Sequence, residues 1–398
     1  MAISRGFIPA GFANTIAALV AMSPWAGSRG GSTATLRVSS PSGSAPSAAM
    51  AARLSITSER RSSKRFISHP FGLPRGLPRA RAGSTVGSGF AFRAGAARCY
   101  AHPRQEAGLR RLWPILGLGM VAVALVLAAP WLLLAPSHDR DWQPVYGRVA
   151  QVTPLPDGRV RLSNIRDWSY APDGQPTAQT WIARDLDPAQ LRRVWFVMEP
   201  FSKNPAIAHT MLSFEFADGA AYVASVEARR EIGEPYSALR AALLPTHEYL
   251  WVWTTERDAY GNSTWFTEDA LYLYALALTP AEARAILREV LADTADVAAN
   301  PRWYHTLAAN CTNVLARTVN KTRPDAVPLD VAWLLPGYAD SFLHRLGYIA
   351  PGRDFTTAET AAHITPLIPA AYTAPDPTAF SRRLRAAMAA QDTSATSR

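Results

Sequence analysis

The chain is 398 residues long, room for one large or two ordinary domains, and its charge is lopsided. Residues 1–111 hold 16 of the 41 Lys and Arg but only two of the 31 acids, Glu59 and Glu106, so they carry +14 and residues 112–398 carry −4. A mildly acidic remainder gives no charge case for nucleic-acid binding by the folded part. Two cysteines, Cys99 and Cys311, on opposite sides of a long apolar run exclude a disulfide scaffold.

Residues 1–108 are rich in Ser, Gly, Ala, Pro and Arg and show no sustained helix or strand period. Such a composition buries too little surface to offset its ordering entropy, so a disordered basic tail is expected. The stretch Gly6 to Ser28 resembles a weak signal sequence interrupted by Pro9, Gly11 and Asn14, and the Arg/Ser-rich, acid-poor composition imitates an organellar transit peptide. A natural start further downstream is a third reading, and the sequence leaves all three open.

From Leu112 to Pro136 no residue is charged. As a helix at about 1.5 Å per residue this run spans roughly 37 Å, enough to cross a bilayer with some tilt. Trp113 and Trp131 stand near its ends, where amphipathic rings favour the interface. Arg104, Arg110 and Arg111 precede it, while Asp139, Arg140 and Asp141 follow. The positive-inside rule therefore places the N-terminus in the cytoplasm and everything beyond residue 137 outside. A single-pass anchor is expected over residues 112–136.

A domain over 139–350 follows. Val145 to Val152 and Arg159 to Asn164 read as short strands around the turn Pro154-Leu155-Pro156-Asp157-Gly158. Asp187-Pro188 caps a short helix, and Val194 to Met198 reads as a buried strand. Ile207 to Phe216 and Ala221 to Glu231, on either side of Asp218-Gly219, form the clearest hairpin. Two further strands are expected at Tyr249 to Thr254 and Ala270 to Leu278. Thr279-Pro280-Ala281-Glu282 is a capping box with proline at the first helical position, opening a helix to about Asp293. Another helix starts at Cys311, and a third, Tyr338 to Leu346, stops at Gly347. Residues 351–398 are rich in Pro, Ala and Thr and read as a flexible tail with one basic helix from Thr378 to Met388.

The chemistry centres on Cys311. A thiol at a helix start sits among unpaired N–H groups and the positive end of the dipole, and both favour thiolate. Against this stands the commoner role of a free cysteine as a small buried hydrophobe. A nucleophilic thiol needs a base. His138, His247, His305, His344 and His363 fall in loops, solvated helices or tails, whereas His209 opens a strand whose Leu212, Phe214 and Phe216 face a core.

The hairpin register decides what shares the His209 face. A two-residue turn pairs Leu212 with Ser225 and puts His209 opposite Ala228. A three-residue turn with a glycine bulge pairs Leu212 with Val226 and Phe214 with Ala224, and gathers His209 with Ser225, Glu227 and Arg229. The second register separates apolar from polar side chains better and is preferred. A solvated sheet face bearing an ion pair explains the same stripe equally well. One cysteine with scattered histidines shows no metal-ligand spacing, and no cofactor is called for.

The runs Ile207-Ala208-His209-Thr210-Met211-Leu212-Ser213-Phe214 and Ser225 to Ser237, then Glu256-Arg257-Asp258, Leu271-Tyr272-Leu273-Tyr274, Trp303-Tyr304 and Asn310-Cys311-Thr312 carry a resemblance. In this order, over about residues 139–350, they resemble the bacterial Lnb N-terminal periplasmic domain family. The resemblance implies an α+β fold, an antiparallel sheet with packed helices, of permuted papain/NlpC-like type with the histidine strand before the cysteine helix. It further implies a lipoprotein N-acyltransferase-like activity, moving an acyl chain from a phospholipid or lipoprotein donor to a lipoprotein's N-terminal cysteine amine. Cys311 would be the nucleophile and His209 the base, with Ser225, Glu227 and Arg229 as orienting or substrate-binding groups and Asn310 and Thr312 beside the oxyanion. The partner is then a membrane lipid or lipoprotein. Tyr260 to Phe266 replaces a more charged segment expected in the family, and the acyltransferases carry further membrane segments that are not apparent here. A cell-wall amidase or peptidase, and a non-catalytic membrane-anchored binding module, are the alternatives.

Overall fold

The computed structural model describes residues 104–396, so most of the expected basic tail, and Cys99 with it, lies outside the described residues. The elements, in order, are α1 (Arg104–Leu133), β1 (Gln151–Pro154), β2 (Val160–Tyr170), β3 (Pro176–Leu186), β4 (Leu191–Pro200), β5 (Ala208–Phe216) and β6 (Ala221–Arg229). They continue with α2 (Ala238–Leu243), β7 (Glu248–Thr255), α3 (Glu256–Gly261), β8 (Tyr272–Ala275), α4 (Pro280–Ala299), β9 (Arg302–Trp303) and α5 (Cys311–Thr322). Four helices close the chain: α6 (Ala339–Arg345), α7 (Phe355–Ala362), α8 (Ile368–Tyr372) and α9 (Pro377–Thr396).

All nine strands form one sheet in the order β1-β2-β7-β6-β5-β4-β8, with β3 on β2 and β9 on β7. Pairing is antiparallel except for one parallel contact, Arg166 beside Thr254, between β2 and β7. The central strands are apolar on both sides because both faces are covered, as expected of a sheet sandwiched between helices. On one face Phe196, Leu212, Phe214, Val226, Trp251 and Trp253 pack against Leu287, Val290 and Val297 of α4 and Val314 and Leu315 of α5. The indoles fix α4 in place, Trp251 donating to Asp293 (2.8 Å) and Trp253 to Thr294 (3.0 Å). On the other face Trp195, Val197, Met211 and Val223 meet Tyr260, Ile368, Phe380 and Leu384.

Both helices of the first layer begin where side chains can bond their open N–H groups. Thr279 and Glu282 make the expected capping box on α4. That helix runs past Asp293 to Ala299, since Ala295, Ala298 and Ala299 sustain it. β3 is an element that the sequence did not signal: an edge strand paired only to β2, it is exposed along most of its length and lacks an apolar alternation.

The hairpin turn is the three-residue Ala217-Asp218-Gly219, closed by Phe216 N–H donating to Ala220 O (2.8 Å), with Gly219 at φ +83°. It starts one residue earlier than expected. Leu212 therefore faces Ala224 rather than Val226, and Phe214 faces Tyr222 rather than Ala224. A slip of two leaves every side chain on its expected face.

The expected flexible tail after residue 350 is corrected. Ile364, Ile368, Phe380 and Leu384 are fully buried on the second face of the sheet, and Arg385 pairs with Glu256 and Glu215. Pro and Ala here separate short helices rather than loosen the chain. Replacing Phe380 by alanine is expected to cost about 3–5 kcal/mol, seen as a lowered thermal unfolding midpoint of the full chain in detergent; a tail would register no change.

Candidate active site

The site forms where two strands part. Ladder pairing of β5 with β6 ends at Met211 and Ser225, while β5 stays on β4 to Ala208 and β6 stays on β7 to Arg229. Phe216 directs its N–H to β6, so by the alternation of the ladder Thr210 does too, at a point where β6 has moved away. The released Thr210 N–H helps to hold the Cys311 thiol below its usual pKa. Cys311 belongs to the helix layer on one face, and His209 shares its face with Met211 on the other. They meet at this opening.

Three contacts hold Cys311 there. Asn310 caps α5, its Oδ1 accepting from Asn313 N–H (2.8 Å) while Asn313 Oδ1 accepts from Asn310 N–H (3.1 Å). Thr312 Oγ1 bonds Thr210 Oγ1 (2.9 Å), tying the first helical turn to β5, and lies 3.9 Å from the sulfur. The cap consumes the N–H of Asn313, and Val314 N–H donates to Asn310 O, leaving the N–H groups of Cys311 and Thr312 at the open end.

His209 is engaged from the other side. Its Nε2 lies 2.6 Å from Ser225 Oγ and 2.9 Å from Glu227 Oε1, and Ser225 Oγ donates a short hydrogen bond to the same carboxylate oxygen. With Nε2 engaged by Ser225 and Glu227, Nδ1 is the ring nitrogen left for the thiol, whose charge acts on the imidazole. Burial disfavours a charged imidazole, yet Glu227 and Cys311 hold the His209 pKa well above its ordinary value. Burial likewise raises a carboxylate, but His209 and then Ser225 bring Glu227 down to about 2. The Cys311 thiol, pushed up by burial, is carried below its usual value by His209 and the Thr210 N–H. The electrostatics favour thiolate beside imidazolium.

Of the residues singled out in the sequence, Cys311, His209, Ser225, Glu227 and Thr312 are thus brought together. Arg229 is placed elsewhere: its guanidinium bonds Tyr146 O (3.0 Å) and His138 Nδ1 (3.2 Å) and lies 4.1 Å over the Trp142 ring. It holds the segment that follows α1, because the end of β6 turns towards that segment rather than towards β5. Asn310 is also reassigned. Both hydrogens of its side-chain amide are already given to Thr306 O (2.9 Å) and Trp333 O (3.0 Å), so it positions α5 and has none for an oxyanion.

Two neighbours went unnoticed in the sequence. Glu199 of β4 stands directly opposite His209, buried, with its carboxyl pushed up to about 7 by that burial against the pull of the His209 charge. A seven-residue connection between β4 and β5 concealed the register that aligns them. Tyr236, in the β6–β7 connection, feels the charge of both Cys311 and His209 and packs edge-on to Tyr304; its Glu-Pro-Tyr-Ser run was visible, its role was not. Among the described residues no three His, Cys, Asp or Glu side chains gather as metal ligands.

The pair should show itself in the pH dependence of alkylation. Thiolate persists from the lowered thiol pKa upwards, so iodoacetamide should modify Cys311 at a lower pH than an ordinary thiol needs. Glu227→Gln removes the charge that keeps the imidazolium protonated; the thiol then holds its proton to higher pH, and the rising limb moves up. Peptide mass spectrometry across pH reads both limbs, and superimposable profiles would remove Glu227 from the site.

Residues 177–337 match the family model of the Lnb N-terminal periplasmic domain. No curated protein and no solved structure gives a significant match. Among the described residues α1 is the one helix long and apolar enough to cross a membrane, over Trp113–Leu133. The stretch from β3 to just before α6, with His209, Glu227 and Cys311 inside it, is thus the part of the chain that matches the Lnb N-terminal periplasmic domain.

Proposed function

We propose that the chain is a membrane-anchored, cysteine-dependent acyl-transfer enzyme similar to the lipoprotein N-acyltransferases, held by α1 in a bacterial inner membrane with its N-terminus in the cytoplasm and the domain in the periplasm. The observation that carries the reading is the series Cys311, His209, Glu227: a thiol at a helix start, a half-buried imidazole, and a carboxylate on the far ring nitrogen. A histidine strand ahead of a cysteine helix is the order of a permuted papain-like enzyme.

In the first half-reaction the Cys311 thiolate adds to the ester carbonyl carbon of a lipid. The N–H groups of Cys311 and Thr312 stabilise the oxyanion, as backbone donors at a helix start do. On collapse the carbon–oxygen bond breaks, His209 gives its proton to the leaving alcohol, and a thioester remains on Cys311. An amine then attacks and His209 takes its proton. The carbon–sulfur bond breaks, the amide leaves, and the thiolate returns. Glu227 keeps the imidazole oriented and offsets its charge throughout.

An apolar cavity beside the turn that bears the thiol is in keeping with the end of an acyl group. A cavity of about 70 Å³, lined almost wholly by apolar atoms, starts at Thr210 and Thr312 and follows Leu315, Ala316 and Val319 along α5 towards Trp333. A cell-wall amidase or peptidase would use the same Cys–His pair, but its peptide substrate has no use for this space. A binding module with a structural cysteine would need no imidazole–carboxylate pair beside it.

The full chain in detergent, given a diacyl phospholipid and a diacylated lipopeptide, is expected to N-acylate the peptide and to carry an acyl thioester on Cys311 detectable by mass spectrometry. His209→Ala should slow turnover by about 10²–10⁴-fold. Full activity in Cys311→Ala would end the proposal, and release of peptidoglycan fragments in place of acylation would favour the amidase.

A further inference from the structure

Of the ten large apolar side chains exposed beyond residue 135, eight lie on connections at one end of the sheet, the end at which α5 begins. β4 stops at Pro200 beside the first residue of β5, and β6 stops at Arg229 beside the first residue of β7, so residues 201–207 and 230–247 emerge side by side. Phe201 comes from the first of these. Ile232, Tyr236, Leu239 and Leu243 come from the second, Ile232 being 69% exposed and Leu243 45%. Residues 328–338 join them, since Trp333 O accepts from Asn310, and Gly337 N–H donates to Ala206 O (3.0 Å) at an approach so close that a Cβ on Gly337 would meet Pro205 O at 1.8 Å. Leu329, Val331 and Tyr338 are exposed there. A helical surface of a soluble domain does not ordinarily spend so much apolar area on one rim.

The same end is where α1 departs. Trp131, in the last turn of α1, donates to Leu243 O (3.0 Å), and its ring stands 5.4 Å from His305. α2 in turn rests on the loop that leads to the thiol: Thr306 Oγ1 donates to Ala238 O (2.7 Å) and Thr306 N–H to Ala241 O (3.3 Å). One continuous set of contacts thus links the end of the apolar helix, the exposed α2 and the approach to Cys311. Two exposed cations, Lys203 and Arg240, stand among the apolar side chains, as they would to meet lipid phosphates at an interface.

We infer that this rim is a membrane-docking surface: the loops carrying Phe201, Ile232 to Leu243 and Val331 to Tyr338 sit in the headgroup layer of the bilayer that α1 enters, and the opening at Cys311 faces that layer. The inference rests on α1 crossing a bilayer and not on any chemistry at Cys311. At the opposite end of the sheet, Phe266 follows α3, beyond the end of β7, and is more exposed than most of the rim residues but has no helix to carry it to lipid.

The test uses the unmodified full chain, one per nanodisc of phosphatidylethanolamine and phosphatidylglycerol, with a phosphatidylethanolamine bearing a diazirine high on its acyl chain. After illumination, peptide mapping should find lipid adducts on residues 201–203, 232–243 and 331–338 in addition to α1, and none on the peptide containing Phe266. Leu239→Glu with Leu243→Glu should lose the adducts on 232–243 while iodoacetamide still modifies Cys311. Adducts confined to α1, or equally dense around Phe266, overturn the inference. So does a rim that lipid reaches in single-chain discs but not when two chains share a disc, since a second copy would then be its occupant. Because no turnover is measured, these outcomes stand apart from success or failure of the acyl-transfer reading.

Discussion

An imidazole partly withdrawn from water holds its proton best beside a compensating negative charge, and here Glu227 supplies it from the neighbouring strand. The pair is held by strands rather than by a loop. β4 fixes His209 on one side and β7 fixes Glu227 on the other, while the ladder between the two bearers is missing over that stretch. Two rigid walls with a gap between them make room for the end of a helix. The capping of α5 by Asn310, the Thr210–Thr312 bond and the charge of the thiol all follow from that arrangement.

Around the gap, charged residues serve as ties. Asp258 takes both Arg166 nitrogens (2.8 and 2.9 Å) and Trp168 N–H (2.9 Å), joining α3 to β2. Glu256 accepts from Ser213 (2.6 Å) and Tyr260 (3.2 Å) and pairs with Arg385, binding the strand behind His209 to the last helix. Glu248 receives Ser137 N–H (3.0 Å) and Arg140 (3.0 Å), and His138 bridges Arg229 to Val297 O. The segment leaving α1 is stitched to the end of β6 and the start of β7, so the anchor and the site share a frame. Buried pairs of this kind add little net stability over apolar packing, but breaking one leaves an uncompensated charge.

The sequence made the local features legible. The cap at Thr279, the helix start at Cys311, the buried strands and the His209–Ser225–Glu227 face all rest on neighbouring residues, and parity alone assigns a strand residue to its face. What stayed hidden depends on long-range geometry. Glu199 joins the site only through a register that a seven-residue loop conceals, and Arg229 leaves it because Trp142 and His138, some 90 positions earlier, occupy its reach. β3 is too exposed to show a period. The last 46 described residues read as a tail because short, Pro-broken helices carry weak patterns, and only the bare second face of the sheet reveals why they pack.

That packing bears on the order in which the molecule can be made. Phe380 and Leu384 complete the core on the side of the sheet that carries Met211 and Val223, and Arg385 reaches Glu215 across 170 positions of sequence. α1 emerges from the ribosome early and can enter the bilayer at once, whereas the sheet remains uncovered on one side until the final helix has arrived. Until then Trp195 and Met211 lie open to solvent or to a chaperone. Closure of this face of the sheet is thus tied to the synthesis of α9, and a product cut short before it would be left with an unfinished core.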